Sequence, residues 1–363
     1  MNYLICTSDY WNALSKIYPA NMQETLKKAA DLALDKSLLS VTFGKKHTLT
    51  TDLHDYVSLS PYHWPNPNTP DGFPWIQKDG VINPEYKNYD GPKIRELCAR
   101  TGLLVSAGHL TGNIAYFQGA ARLLKCWFLN PETAMNSHFR YAQFVPGNQT
   151  GSCWGLIDSS VFCELLEAVA SLPFNIEWSE EDLIHLKEWF TRYYFWYVSD
   201  EFAIKEEKAP TNHGTAYDRQ FIVLTLFLGQ PDLARRQIRE KTIPRLSVQL
   251  LNNGMQPFEM YRTRSLSYSI GNLSHWARIA VYSKNLGIPL WEYPSDDNAT
   301  LKKCYEFLYP HLLDNGKNWP YLELAKASIH GERLISFCKT FLMSDCRQAS
   351  IQIPETPCML SLN

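Results

Sequence analysis

An all-α fold is predicted by three features of this chain: apolar residues recur at helical spacing over most of its length, alternating β patterns are scarce, and short Gly/Pro/Asn turns separate the helical stretches. Ala120, Leu123, Leu124 and Trp127 fall at i, i+3, i+4 and i+7, as do Leu273, Trp276, Ala277 and Ala280. Each set is a single apolar stripe, as an amphipathic helix requires.

In chain order, helical segments are expected near 22–35, 93–109, 120–127, 158–171, 179–199, 214–228, 231–251, 273–280, 298–313 and 331–343. Ser179 followed by Glu180, Glu181 and Asp182 is an N-cap with an acidic first turn, so that helix is expected to run to about Ser199. Thr111-Gly-Asn113, Asn130-Pro131, Gly229-Gln-Pro231 and Gly287-Ile-Pro289 punctuate the pattern. Helices of this length joined by short turns imply repeated helical hairpins. No tetratricopeptide or ankyrin repeat is present. We expect a single domain over 1–363.

Three stretches break the helical pattern. Residues 44–92 carry Pro61, Pro65, Pro67, Pro70, Pro74 and Pro84 with Gly72, Gly80 and Gly91, which excludes a helix. Residues 130–157 form a second loop, and Glu206–Thr211 a short third one. Long loops on a rigid helical frame are where a functional site is expected.

Composition bounds the function. The chain has 363 residues, 45% apolar and 20% charged, enough for a sizeable globular core. A net charge of −2 supplies no general field for nucleic acid, so positive charge that meets an anionic ligand must be local. The 11 Trp and 20 Tyr suit an aromatic core, sugar-stacking platforms, or both. Nine Cys without C-x-x-C or Cys/His ligand spacing point to buried thiols rather than structural zinc or a disulfide scaffold. No metal or cofactor is expected. No segment approaches the ~20 apolar residues of a membrane span. The N-terminus has neither a basic n-region nor an apolar h-region, so no signal peptide is expected within the chain as given.

Several residues can carry chemistry. Asn212 and His213 follow Pro210 and open a helix; Asn212 can cap it, and the positive helix end suits a carboxylate. Tyr217 and Asp218 lie one turn on, where Asp218 can orient His213. Arg264 and Tyr268 are i, i+4 and share a helix face, while Arg262 lies in the lead-in. A neighbouring arginine favours the phenolate of a tyrosine, which otherwise titrates near 10. Tyr62, His63 and Trp64 are three rings between prolines, suited to packing or to lining a groove; Tyr141, Gln143, Asn148 and Trp154 offer similar polar and aromatic edges. Each of these also has a plain structural use, as cap, surface pair or core ring.

Taken together, His54–Pro65, Asp79–Glu85, Trp127–Glu132, Tyr141–Gln143, Asn212–Asp218 and Glu259–Asn272 resemble the alginate lyase superfamily of polysaccharide lyases, over roughly Ala29 to Leu290. The Asn-His-Gly-Thr-x-Tyr-Asp form resembles the branch that includes glucuronan-cleaving members. The resemblance implies an incomplete α/α toroid of helical hairpins, with loops 44–92 and 130–157 over its cleft. It also implies metal-independent β-elimination of a 1,4-linked polyuronate, giving 4,5-unsaturated ends. Asn212 and His213 would neutralise the substrate carboxylate and Tyr268 would be the catalytic tyrosine. Arg262 matches the family arginine in a Glu-x-x-Arg context, with Arg264 the other cation able to face substrate. Tyr62, His63, Trp64, Tyr141, Gln143, Asn148 and Tyr217 would line the substrate. The partner would be an anionic polysaccharide, not nucleic acid, and the family implies a periplasmic or secreted setting, although the lack of a visible leader leaves the cytoplasm open.

In β-1,4-linked mannuronate or glucuronate the C5 proton and O4 share a face, so Tyr268 can serve as base and then acid. In guluronate they lie on opposite faces, and His213 would be the base with Tyr268 the acid. Two other classes compete: a glycoside hydrolase on a similar frame, needing two carboxylates about 5–10 Å apart, and a non-catalytic glycan-binding relative. Asp52, Asp55, Glu85, Asp158 and Glu259 are the available carboxylates, and none is paired by spacing.

Overall fold

A computed structural model describes residues 3–44, 49–324 and 331–343. Helices dominate these residues, and their only strands form two two-stranded sheets. The chain divides into two compact units, one made of residues up to Ile17 with those from Glu207 onward, the other of Tyr18–Glu206.

In the Tyr18–Glu206 unit, helix Asp90–Thr111 packs against Ala20–Leu34, Ile114–Leu124 and Phe162–Ser171. It begins three residues earlier than its expected start because Pro92 falls within the first turn, where a missing N–H costs no helical bond. The Ala120–Trp127 stripe is fully internal. Helix Glu180–Ser199 starts on the expected cap: Ser179 Oγ accepts from the Asp182 N–H, and the Asp182 carboxylate accepts from the Ser179 N–H in return. Its buried face sends Trp189, Phe190 and Tyr193 into a ring cluster with Phe128, Phe139 and Phe162. Much of the aromatic content is therefore core.

The long loops carry more structure than their proline content implies. Val57–Leu59 of the first pairs in parallel with Tyr141–Phe144 of the second, and His63–Trp64 pairs with Ile76–Gln77. Residues 45–48 of the first loop lie outside the described residues. Helix 158–171 is likewise refined: Cys153–Val161 is 3₁₀ and the α-helix proper is Phe162–Ser171.

In the other unit, helices Asn212–Phe227 and Ser265–Asn285 pack together, and the Leu273–Ala280 stripe is buried. The single helix expected over 231–251 is interrupted by a π-helical segment, Ile238–Thr242, before Ile243–Gln249. Pro244, with no N–H to donate and a ring that crowds the turn before it, accounts for that break. The third loop is shorter than expected, because helix Glu201–Glu207 takes its first two residues. Cys6, Cys98, Cys126, Cys163, Cys304 and Cys338 are buried and Cys153 is half-buried; Cys346 and Cys358 lie outside the described residues. No helix among the described residues is long and apolar enough to cross a membrane.

Candidate active site

Asn212 is the first residue of its helix rather than its cap. Thr211 precedes it in extended geometry and makes no side-chain cap bond. The exposed first-turn donors are met from elsewhere in the unit. Glu259 Oε1 accepts from the Asn212 backbone N–H at 2.6 Å, and Oε2 accepts from Asn212 Nδ2 at 2.8 Å. Glu259 is 1% exposed. Burial pushes its carboxyl above the usual range, against the pull of the two Asn212 donors, Arg262 and His213. An anion at a helix N-terminus is also favoured by the helix dipole.

Asp218 does not serve as a dedicated partner of His213. It is fully buried, receives Arg245 Nε at 2.8 Å on Oδ2, and receives Gln237 Nε2 at 3.0 Å on Oδ1. Arg245 spends its remaining donors on the carbonyls of Ala209 and Glu207. The pair thus pins the segment that leads into Asn212, and Gly214 is required there: a Cβ would lie 2.2 Å from the Ala209 carbonyl oxygen.

The Arg262–Tyr268 relationship is formed by a turn. Helix Pro257–Met260 carries Glu259 and ends just before Arg262, and the next helix starts at Ser265. Folding back across this turn brings the Arg262 guanidinium 3.9 Å from the centroid of the Tyr268 ring. Arg264 instead precedes the helix, bridges to Glu323 through its backbone, and buries its Nε without a hydrogen-bond partner. Of the two arginines, Arg262 is the one against the tyrosine.

A buried amide network fixes the two helices that present these groups. Gln249 Oε1 accepts from Thr215 Oγ1, Asn272 Nδ2 and Trp276 Nε1 at 2.8, 3.1 and 2.9 Å, while its Nε2 donates to the Thr211 carbonyl. Gln256 accepts a second bond from Asn272 Nδ2 and donates to the Ser269 carbonyl. Glu259, Gln249 and Gln256 are residues whose positioning work no spacing rule signals. A weak hint is the Pro257 that places Glu259 in a one-turn helix.

The remaining expected contacts belong to the Tyr18–Glu206 unit, apart from Tyr217, which is buried in helix Asn212–Phe227. Tyr62, His63 and Trp64 are half-buried on a hairpin. His63 Nδ1 pairs with Ser60 Oγ at 2.7 Å, Trp64 donates to the Val81 carbonyl, and Lys78 sits over the Trp64 ring. Tyr141 is half-buried and Asn148 is exposed on a turn. Gln143 is buried in the left-handed region, φ 47°, with its amide donating to Asp158 Oδ1. Asp158 also receives Tyr56 and Ser58, and Asp55 is engaged by Thr50, Asn136 and His138. The carboxylates open to a hydrolase reading are thus largely occupied by structural bonds. Among the described residues no group of three or more His, Cys, Asp or Glu is arranged to hold a metal ion.

The family model for alginate lyase matches residues 42–319. The chain belongs to the alginate lyase family. This member is a polysaccharide lyase. Its structure is similar to that of an alginate lyase from Bacteroides ovatus, with 29% identity, a TM-score of 0.87, and coverage of 98% of this chain and 99% of that one. It also shares the fold of alginate lyase A1-III from Sphingomonas species A1, at 12% identity and TM-score 0.52 over 88% of both chains. A variant of A1-III complexed with tetrasaccharide gives 14% identity and TM-score 0.52, covering 80% of this chain and 78% of that one. No curated protein matches the sequence.

Proposed function

We propose that this lyase cleaves a 1,4-linked polyuronate, either alginate and its polymannuronate blocks or glucuronan, by metal-independent β-elimination. The observation that carries the proposal is the Arg262 guanidinium held 3.9 Å from the Tyr268 ring, in the same compact unit as an Asn212–His213 pair set by Glu259.

Elimination removes the C5 proton, passes charge into the carboxylate, and expels O4. Asn212 keeps a second amide N–H after bonding Glu259, and His213 has a ring N–H; both can donate to the carboxylate as it gains charge. Tyr268 takes the C5 proton and returns a proton to O4 when both lie on one face of the sugar. The Arg262 cation favours the phenolate form, which accepts the C5 proton and is restored when O4 is protonated. With guluronate, His213 takes the proton and Tyr268 protonates O4. Sugar contacts by Tyr62, Trp64, Tyr141, Asn148, Tyr217 and Arg264 are part of the same proposal. His63 and Gln143 enter it with a ring nitrogen and an amide already bonded. Residues 1–363 are taken as one functional domain.

The test is digestion of defined polymannuronate, polyguluronate and glucuronan, with and without exhaustive chelation, followed by ultraviolet absorbance of the C4–C5 double bond. Unsaturated product that survives chelation is expected from at least one polymer. Reducing ends without unsaturation would indicate hydrolysis, and loss of activity restored by calcium or zinc would overturn the metal-independent mechanism.

A further inference from the structure

A crevice of about 370 Å³ opens on the Tyr18–Glu206 unit, within the range of small-molecule sites, about 300–1,000 Å³. It lies where His54, residues 128–137 and helix Glu180–Ser199 meet. None of its lining residues takes part in the proton transfers proposed above.

Its walls are fixed by hydrogen bonds between segments distant in sequence. His54 Nδ1 donates to the Ala134 carbonyl at 2.6 Å, and the His54 carbonyl accepts from the Asn136 N–H at 2.9 Å. The Met135 N–H donates to the Trp127 carbonyl, and the Met135 carbonyl accepts from Trp189 Nε1 at 2.7 Å. Asn136 Nδ2 donates to Asp52 Oδ2 and Asp55 Oδ1, both at 2.9 Å. A carboxylate only accepts, so these two bonds fix which way the amide points. Neither carboxylate lines the crevice. Walls held in this way need little reordering when a ligand enters.

The same bonds leave His54, Asn136, Ser137 and Arg192 with unused polar groups. Because the Ala134 carbonyl only accepts, the neutral His54 ring carries its proton on Nδ1 and offers Nε2 as an acceptor. Asn136 Oδ1 is a second acceptor, Ser137 Oγ can donate or accept, and the Arg192 guanidinium donates. Among the described residues no protein group bonds any of these atoms. All four side chains belong to half-buried or exposed residues, so a ligand can reach them. Glu188 lies one turn before Arg192 on the same helix and does not pair with it. Leu129, Pro131 and Ala134 add an apolar side. The two acceptors call for ligand hydroxyls, the cation for a carboxylate, and the apolar side for C–H groups. A sugar acid carries all three.

We propose that this crevice is a second uronate-binding site, with Arg192 on the carboxylate and His54 Nε2, Asn136 Oδ1 and Ser137 Oγ on the hydroxyls. The choice of a uronic acid among hydroxy acids rests on the polyuronate reading above.

The experiment titrates the full chain with methyl β-glucuronoside or methyl β-glucoside by NMR. It follows the indole N–H of Trp189, which lines the crevice and is held by the Met135 carbonyl. A saturable shift with the glucuronoside is expected. Losing one charge-assisted bond in Arg192→Ala should raise the Kd about tenfold, and Arg192→Lys should raise it less. The glucoside should bind wild type no better than the glucuronoside binds Arg192→Ala. Arg192 is exposed, so neither variant removes a core contact. No shift with the glucuronoside, equal affinity for the two sugars, or an unchanged Kd in Arg192→Ala would overturn the site. The readout does not depend on turnover. An Arg192-dependent shift without unsaturated product from any polyuronate would overturn the polyuronate reading and leave the site standing. Unsaturated product without the shift would overturn the site alone.

Discussion

The Glu259 carboxylate takes two hydrogen bonds from a single residue, Asn212: one from the backbone N–H at 2.6 Å and one from Nδ2 at 2.8 Å. This bidentate grip fixes the Asn212 amide and leaves only one of its N–H bonds to face outward. Glu259→Gln keeps the shape but turns one acceptor into an NH2 group that meets an Asn212 donor. Hydrogen bonds to a buried charged group are worth about 1.5–3 kcal/mol. We expect the variant to lose about that much stability by denaturant titration, and to lose kcat with it. A variant with wild-type stability and kcat would mean the grip has no positioning role.

Tyr268→Phe preserves the ring that Arg262 covers and deletes the hydroxyl. Acid–base groups contribute about 10²–10⁴-fold, so kcat should fall by at least the lower figure with a smaller change in KM. Retention of more than a tenth of wild-type kcat would make Tyr268 a packing residue. His213→Ala should be the more damaging on polyguluronate than on polymannuronate, because only there does His213 act as the base; equal impairment on the two polymers would refute the two-face assignment.

Arg245→Ala removes the partner of a carboxylate that is completely buried, and with it the bonds to the Ala209 and Glu207 carbonyls. Breaking a buried pair from one side costs about 3–5 kcal/mol. The expected result is a drop of that size in unfolding free energy, with raised amide exchange over residues 208–213. Unchanged exchange there would show that the lead-in to Asn212 is held by other contacts.

Asp55 gives a pH signature. Burial works against its charge, but hydrogen bonds from His138, Asn136 and Thr50 outweigh it and hold the carboxyl near 2. Its folded value is therefore depressed below the ordinary value of about 3.9. The stabilisation is complete above about pH 4 and is lost as pH falls toward 2. After discounting for solvent screening, the amount at stake is about 1–2 kcal/mol. Thermal midpoints measured from pH 6 to pH 2 should fall in this window, and Asp55→Asn should flatten the fall. An identical acid limb in the variant would assign it to other groups.

The sequence by itself determined most of the longer helices, where a stripe such as Leu273–Ala280, a cap such as Ser179 or a stop such as Gly229-Gln-Pro231 marks them, but it missed Ser8–Ile17, Glu201–Glu207 and Pro257–Met260. It also carried the family, through short motifs whose residue types suit one chemistry. It misjudged boundaries where a proline sits inside a first turn, as at Pro92, or where one breaks a helix into a π segment, as at Pro244. Tertiary structure alone decided that Glu259 and not Asn212 satisfies the helix start, that Asp218 belongs to Arg245, and that Arg262 rather than Arg264 covers Tyr268. These choices depend on contacts between residues distant in sequence or across an irregular turn. Local spacing reports which face of a helix a residue occupies, but it carries no information about which distant donor reaches a buried carboxylate first.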